Sequence, residues 1–470
     1  MTVPPSALQQ PITKLTSLTF DELMIGQCAS VTRSLTQTDM NLFATVSGNV
    51  DPLHFPEGAD NAVFSQPVGH GMWAGAIFSG LLGSHLPGPG TIYRKQNLKF
   101  RAPIPLGACV TASVSVVSKR TTPKGHKLVN FDCRMTDQEG TVLVEGTAEV
   151  IPPRTHSDQP GHSLPDFQFI THDQLTSLSD QCANYDPLPT AIIYPCDALS
   201  LQSACDSAKM GLIDPVLVGP QSVIEALSRD LELDISAFRL VDARHEKDAA
   251  LKGVALAKAG EVGAVMKGSL HTDELMAAVV RRDSGLRTYH RISHVFVMNV
   301  PTYHKPLLIT DGVVNISPNA DDKAHIIQNA VALAHVLGVE TPKVAILSAL
   351  ETVNPKIIST VDAAVLCKMA DRGQIKGAIL DGPLAFDNAI SKDAAMTKGI
   401  KSEVAGDPDI LLAPDLASAN MLVKQLSFLA HANAAGIVLG AAVPVILTSR
   451  ADSLSARLAS CALAVLLSNR

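Results

Sequence analysis

The stretch IPPRTHSDQPGHSLPD, residues Ile151–Asp166, separates two kinds of sequence. Its four prolines and its run of small polar residues carry no apolar periodicity, so neither a helix nor a strand is expected to propagate through it. It reads as a linker. Before it, apolar and polar residues alternate; after it, short continuous apolar runs are followed by amphipathic segments. At 470 residues the chain exceeds one ordinary domain of roughly 100–200 residues, and two modules of unequal size fit, 1–150 and 167–470.

Composition narrows the chemistry. A hydrophobic share of 46% with 18% charged residues belongs to a packed globular protein, and 4% aromatic leaves little for stacking nucleobases. The net charge of −7, with no basic run, gives no pull toward nucleic acid or an anionic membrane. Any anion handled here should be small and met by local groups. The eight cysteines are scattered, without CxxC or Cys/His spacing, so neither a zinc site nor a disulfide framework is expected. No metal is called for. The N-terminal residues lack a leader-like layout, and the longest apolar run, Ala434–Leu447, is short and broken by Gly and Pro. A reducing, cytoplasmic setting follows as the expectation.

In the first module, Thr36–Val46 has helical spacing and Val68–Leu86 has apolar residues all round, as a buried central helix would. Thr91–Phe100, Val110–Ser118, Lys127–Met135 and Val142–Ile151 alternate and are rich in β-branched residues, which predicts an antiparallel sheet. One buried helix wrapped by such a sheet is the α+β hot-dog arrangement.

The run Ser47-Gly48-Asn49-Val50-Asp51-Pro52-Leu53-His54, then Gly69-His70-Gly71-Met72, then Phe78-Ser79-Gly80-Leu81-Leu82, resembles the R-specific enoyl-CoA hydratase (MaoC-like) family over most of residues 20–150. The resemblance implies reversible hydration of trans-2-enoyl-CoA to (R)-3-hydroxyacyl-CoA. Such chemistry needs a proton carrier for water and the α-carbon, and donors for the enolate oxygen. His54 suits the first role, with Asp51 as its expected partner, and amides around Gly69, His70 and Gly71 at a helix start suit the second. The family's carboxylate falls on Asn49 and its asparagine on Asp51, so acid and amide are exchanged. A non-catalytic acyl-CoA binding module is the alternative for this half.

In the second module, apolar runs at Ala191–Tyr194, Pro215–Val218, Ala264–Lys267, Val295–Met298, Leu307–Thr310, Val344–Ser348, Gly377–Leu380 and Val443–Leu447 alternate with helical patterns such as Asp322–Leu337. That predicts an α/β fold with parallel, Rossmann-like layers, in two lobes (about 167–310 with 437–470, and 311–436) with a cleft between them. The loops MKGSLHT (266–272), GLRTYHRISHVFVM (285–298), ITDGVVNI (309–316), PKVAILSALE (342–351), the run from Lys368 to Ser391, PDLASANML (414–422) and VPVILTSRADS (443–453) resemble the phosphate acetyl/butyryltransferase family over nearly the whole module.

That resemblance implies acyl transfer between CoA and inorganic phosphate, with Ser449 and Arg450 as the phosphate and catalytic segment. Coenzyme A thioesters and phosphate enter as substrates, and no cofactor is required. Arg287, Arg291, Lys267, Asp311, Glu351 and Asp381 are the further candidates for phosphate or CoA binding. Leu454, Leu458, Cys461 and Val465 form a helical stripe that Asp452 or Ser453 is placed to cap, which sets Arg450 before a helix start. Ala456 stands where acetyl-type members carry an aspartate, which leaves two alternatives, Asp452 as a substitute base or substrate positioning without one, and PDLASAN lacks a carboxylate and a glycine of the family pattern. Two alternatives remain for this half. One is a metal-dependent hydroxyacid dehydrogenase using Asp381 and Asp387, and the other a CoA-sensing scaffold. The family's assembly implies a homo-oligomer.

Overall fold

Residue placement comes from a computed structural model, which describes residues 14–55, 64, 66–161, 173–447 and 452–469. The chain divides into two units, Met1–Phe169 and Ile170–Arg470.

In the first unit, Thr36 and Asp39 form a reciprocal capping box that starts helix α1 (Gln37–Ser47), and Gly48, at φ 72°, ends it in the left-handed conformation that glycine tolerates. Helix α2 (Gly71–Ser84) buries Trp73, Ala74, Ile77, Phe78, Leu81 and Leu82. A five-stranded antiparallel sheet wraps it, in the spatial order Cys28–Ser34, Cys109–Thr121, Lys127–Thr136, Val142–Ile151 and Ile92–Phe100. Alternation does the work expected of it: Val110, Ala112, Val114 and Val116 face the helix and their neighbours do not. The hot-dog expectation holds. Cys28–Ser34 was not predicted as a strand, because its alternation is among small and polar side chains rather than apolar ones.

The linker needs correction. Ser157–Pro160 is a short strand paired antiparallel with Lys14–Ser17, and Thr16 Oγ1 donates to Asp158 at 2.7 Å. Two-stranded and exposed, this ribbon accommodates Pro160 because the proline stands at the strand's end. Ile151 still belongs to the main sheet, while residues 162–166 of the stretch lie outside the described residues.

The second unit is built on one mixed sheet of eleven strands, in the order Arg239–Asp242, Ile213–Gly219, Leu188–Ile193, Ala264–Lys267, Val445–Ile446, Asn433–Leu439, Ser293–Asn299, Leu307–Thr310, Ile410–Leu412, Lys343–Leu347 and Ile379–Leu384. Pairing is parallel except around Ser293–Asn299 and Asn433–Leu439. The chain leaves for the second half of the sheet after Leu307–Thr310 and returns at Asn433–Leu439. The two halves share one continuous sheet rather than having a sheet each. Strands Arg239–Asp242, Ile410–Leu412 and Asn433–Leu439 escaped prediction: the first two are only four and three residues long, and the third begins with small residues that carry no β signal.

Candidate active sites

In the first unit, Asp51 caps the turn Pro52–His54, its Oδ1 accepting from Leu53 N at 3.1 Å. That turn delivers the His54 ring into a buried position, 7% exposed. His54 Nδ1 lies 2.7 Å from the Val68 carbonyl oxygen. A carbonyl only accepts, so Nδ1 carries the hydrogen and Nε2 of the neutral ring offers a lone pair. Asn49 Oδ1 accepts from Asp51 N at 3.2 Å, which leaves its Nδ2 facing His54 Nε2 at 3.4 Å.

The expected His54–Asp51 pairing therefore needs revision. Asp51 holds the turn, and Asn49 is the side chain that meets the imidazole.

The start of α2 is likewise specific about its donors. Gly69 N donates to the Ile104 carbonyl at 2.7 Å, so it is unavailable to an oxyanion, contrary to expectation. His70 occupies the cap position without a side-chain cap bond, and the first helical amides, of Gly71 and Met72, belong to residues that are exposed. A Cβ at Gly71 would stand 3.4 Å from the Phe100 ring. His70 stacks on His54 with ring centroids 3.7 Å apart, and burial pushes its pKa down. These residues form one cluster: His54, His70, Asn49 and the start of α2.

In the second unit, Ser453 caps the helix Leu454–Ser468, its Oγ accepting from Ala456 N at 3.2 Å. Ser449 and Arg450 lie outside the described residues. Asp452 stands just before the cap, and its carbonyl accepts from Arg457 Nε at 3.4 Å. Arg457, absent from the candidates, is 3% exposed; burial lowers its pKa, while Asp452 and Asp197 oppose that. A lone cation inside an otherwise apolar helical run was the signal for it. Lys267 is also buried, donating to the carbonyls of Gly268 at 3.0 Å and Leu270 at 3.2 Å.

The remaining candidates separate into different surroundings. Arg291 Nε donates to Asn315 Oδ1 and its Nη1 to Asp322 Oδ1 at 2.7 Å. Asn315 Nδ2 in turn donates to Asp311 Oδ2 at 2.6 Å. Asp311 is 3% exposed and accepts as well from the amides of Val313, Val314 and Asn315. Burial raises its pKa against those bonds. With its acceptors turned inward, Asp311 shapes the loop, which is a correction to its expected role as a ligand-binding group.

Arg287 is exposed and makes a backbone bridge to Ala441. Glu351 lies 3.4 Å from both Asn388 Nδ2 and Lys398 Nζ. Asp381 Oδ1 accepts from Gly382 N at 2.8 Å, whereas Asp387 pairs with Lys398 at 3.0 Å. The two carboxylates on which a metal-dependent dehydrogenase would rely thus turn to different partners. Among the described residues no group of three or more His, Cys, Asp or Glu is arranged to hold a metal.

A crevice of about 1110 Å³ opens at the carboxyl ends of Lys343–Leu347 and Ile410–Leu412. Leu347, Ser348, Ala349, Asp415, Ser418 and Leu422 line it, so two of the distinctive loops meet there. The beginnings of three helices face it, at Asn319, Ser359 and Ser418, and the Lys323–Asp362 ion pair of 2.7 Å sits in its wall. Crevices of this kind, outside the carboxyl ends of parallel strands, are where such sheets take ligands.

Comparison with known proteins agrees with both units. Residues 243–465 match the family described as "Phosphate acetyl/butaryl transferase", and residues 26–132 match the "MaoC like domain". A phosphate acetyltransferase of Rhizobium meliloti is 54% identical over 284 residues, which is 60% of this chain and 90% of that protein. A phosphate butyryltransferase of Clostridium acetobutylicum is 42% identical over 266 residues, 57% of this chain and 88% of the relative. Among solved structures, a branched-chain phosphotransacylase from Enterococcus faecalis is 28% identical with a TM-score of 0.53, over 60% of this chain and all of that one.

Proposed function

We infer from two facts, that this chain belongs to the phosphate acetyl/butyryl transferase family and that its first unit is a MaoC-like domain, that it is a two-site enzyme of coenzyme A thioesters. At the second site, a phosphate oxygen attacks the thioester carbonyl, the carbon–sulfur bond breaks, and the departing thiolate takes the proton released by phosphate. Arg450 holds phosphate before the helix Leu454–Ser468, Ser449 donates to the carbonyl oxygen, and Asp452 or the phosphate itself handles the proton. The support for this half is the extent of likeness to the relatives, which spans 90% of the Rhizobium protein.

At the first site, the carrying observation is the fixed tautomer of His54, set by its 2.7 Å bond to the Val68 carbonyl. Its Nε2 takes a proton from water as the oxygen adds to the β-carbon of a trans-2-enoyl-CoA. The same nitrogen then returns that proton to the α-carbon, while the amides of Gly71 and Met72 hold the enolate oxygen at the positive end of α2. Asn49 orients the water through its amide. The 3.4 Å separation of Asn49 from His54 is long for a hydrogen bond, so a water molecule competes well for the lone pair.

Disappearance of crotonyl-CoA, followed together with thiol release from butyryl-CoA on addition of phosphate, tests both halves. Hydration lost in His54→Ala with phosphorolysis retained supports the assignment; equal hydration in wild type and His54→Ala removes it. A homo-oligomer belongs to the same proposal: Ile92, Tyr93 and Phe100 are exposed apolar residues on an edge strand, and a second copy covering them is detectable by light scattering. A monomer at all concentrations contradicts it.

A further inference from the structure

His70 joins three things that hydration must keep in register. Its Nε2 lies 3.1 Å from the Asn49 carbonyl, so the nitrogen carries the hydrogen and donates it. Its ring stacks on His54, at 3.7 Å between centroids and 27° between planes, and meets Phe43 at 5.1 Å. Its backbone is the cap of α2, immediately before the amides of Gly71 and Met72. The side chain is 2% exposed, and its Nδ1 is buried with no hydrogen-bond partner among the described residues. A second proton would therefore have to sit on Nδ1 without an acceptor, which burial makes costly. Of the charged and titratable groups nearby, His54 also disfavours that proton, and only Asp51 and the Asn49 carbonyl favour it. The ring is kept neutral, with one donor pointing one way.

We propose that His70 is a positioning residue for hydration: its Nε2–H pins the Asn49 main chain, and its stack fixes the His54 ring, against the start of α2. The proposal rests on the hydratase reading of this site. It explains why a second histidine is buried beside the first. The geometry it preserves is the distance from the His54 Nε2 lone pair to the helix amides, which must serve water and enolate at once. A small displacement of either costs rate rather than binding, since a misplacement of about 1 Å is worth roughly a hundredfold.

Two substitutions separate the ring from the donor. His70→Phe keeps an aromatic stack and removes the hydrogen bond, whereas His70→Gln keeps a donor near the same place and removes the ring. The full-length chain is assayed for crotonyl-CoA hydration, with phosphate-dependent thiol release from butyryl-CoA as the internal control. The expected result is a kcat about 10–100-fold lower in His70→Phe with KM within about twofold, partial recovery in His70→Gln, and an unaltered control. Nitrogen-15 spectra of the imidazoles provide a readout independent of turnover: His54 is a single Nδ1–H tautomer in wild type and a mixture in His70→Gln, where the stack that holds the ring against the Val68 carbonyl is gone. Full hydration by His70→Phe overturns the proposal, as does equal damage by both variants carried in KM. If the wild type hydrates no enoyl-CoA, the hydratase reading fails, and an unchanged His54 tautomer in His70→Gln then sinks the positioning role separately.

Discussion

At the scale of single residues, the exchange of Asn49 and Asp51 is decided by hydrogen bonding rather than by chain position. Residues i and i+2 of an extended segment would point alike, which is why Asp51 was expected to reach the water beside His54. Here the segment turns at Pro52, and the Asp51 carboxylate is spent on Leu53 N. Two outcomes follow for crotonyl-CoA hydration. Asn49→Asp sets a carboxylate beside His54 Nε2 and should raise kcat, while Asp51→Asn should weaken the turn and lower kcat by less than His54→Ala does. A gain in Asp51→Asn, or no change in Asn49→Asp, contradicts this division of roles.

The buried His294 gives a second test at this scale. It is 1% exposed, its Nδ1 lacks a partner among the described residues, and burial pushes its pKa down to about 3. Because the folded state holds it neutral, its contribution is complete above the unfolded value near 6.5 and is lost as pH falls from there toward 3. Each pH unit in that window costs about 1.4 kcal/mol. The thermal midpoint of wild type should therefore drop more steeply between neutral and mildly acid pH than that of His294→Gln; parallel curves would falsify the assignment.

At the scale of elements, the legible features were those set by periodicity. The ends of α2, the four long strands of the hot-dog sheet and Ala264–Lys267 were read within a few residues; all but the largely exposed Ile92–Phe100 bury one face or both. What escaped reading depends on partners distant in sequence. Ser157–Pro160 becomes a strand only because Lys14–Ser17 arrives to pair with it, and Gly69 N is withdrawn from the oxyanion site by a carbonyl at Ile104. The identity of Asp311 as a polar loop residue was plain, but its inward direction was not.

That direction carries a prediction. Asp311→Asn replaces one acceptor oxygen by an amide donor facing donors from Val313 or Asn315, and should cost about 1–3 kcal/mol by denaturant unfolding. Likewise Lys323→Met strands the Asp362 carboxylate beside the crevice and should cost about 3–5 kcal/mol, with much of the loss recovered in Lys323→Met combined with Asp362→Leu. No recovery in the double variant would show that the pair itself, rather than the stranded charge, was stabilising.

At the scale of the whole molecule, the proposed function gives the two units substrates that share one carrier, coenzyme A. On that reading the product of hydration is not the saturated thioester of acyl transfer, so sharing a chain need not mean hand-over. No helix among the described residues is long and apolar enough to cross a membrane, and all eight cysteines are free thiols. The central claim is that one chain holds two independent thioester sites. It is tested most directly by assaying full-length wild type, His54→Ala and Arg450→Ala for crotonyl-CoA hydration and for phosphate-dependent thiol release from butyryl-CoA. The account predicts both activities in wild type, a loss of about 100–10,000-fold in hydration alone for His54→Ala, and loss of phosphorolysis alone for Arg450→Ala. Undiminished hydration in His54→Ala, or thiol release that ignores phosphate, would contradict it.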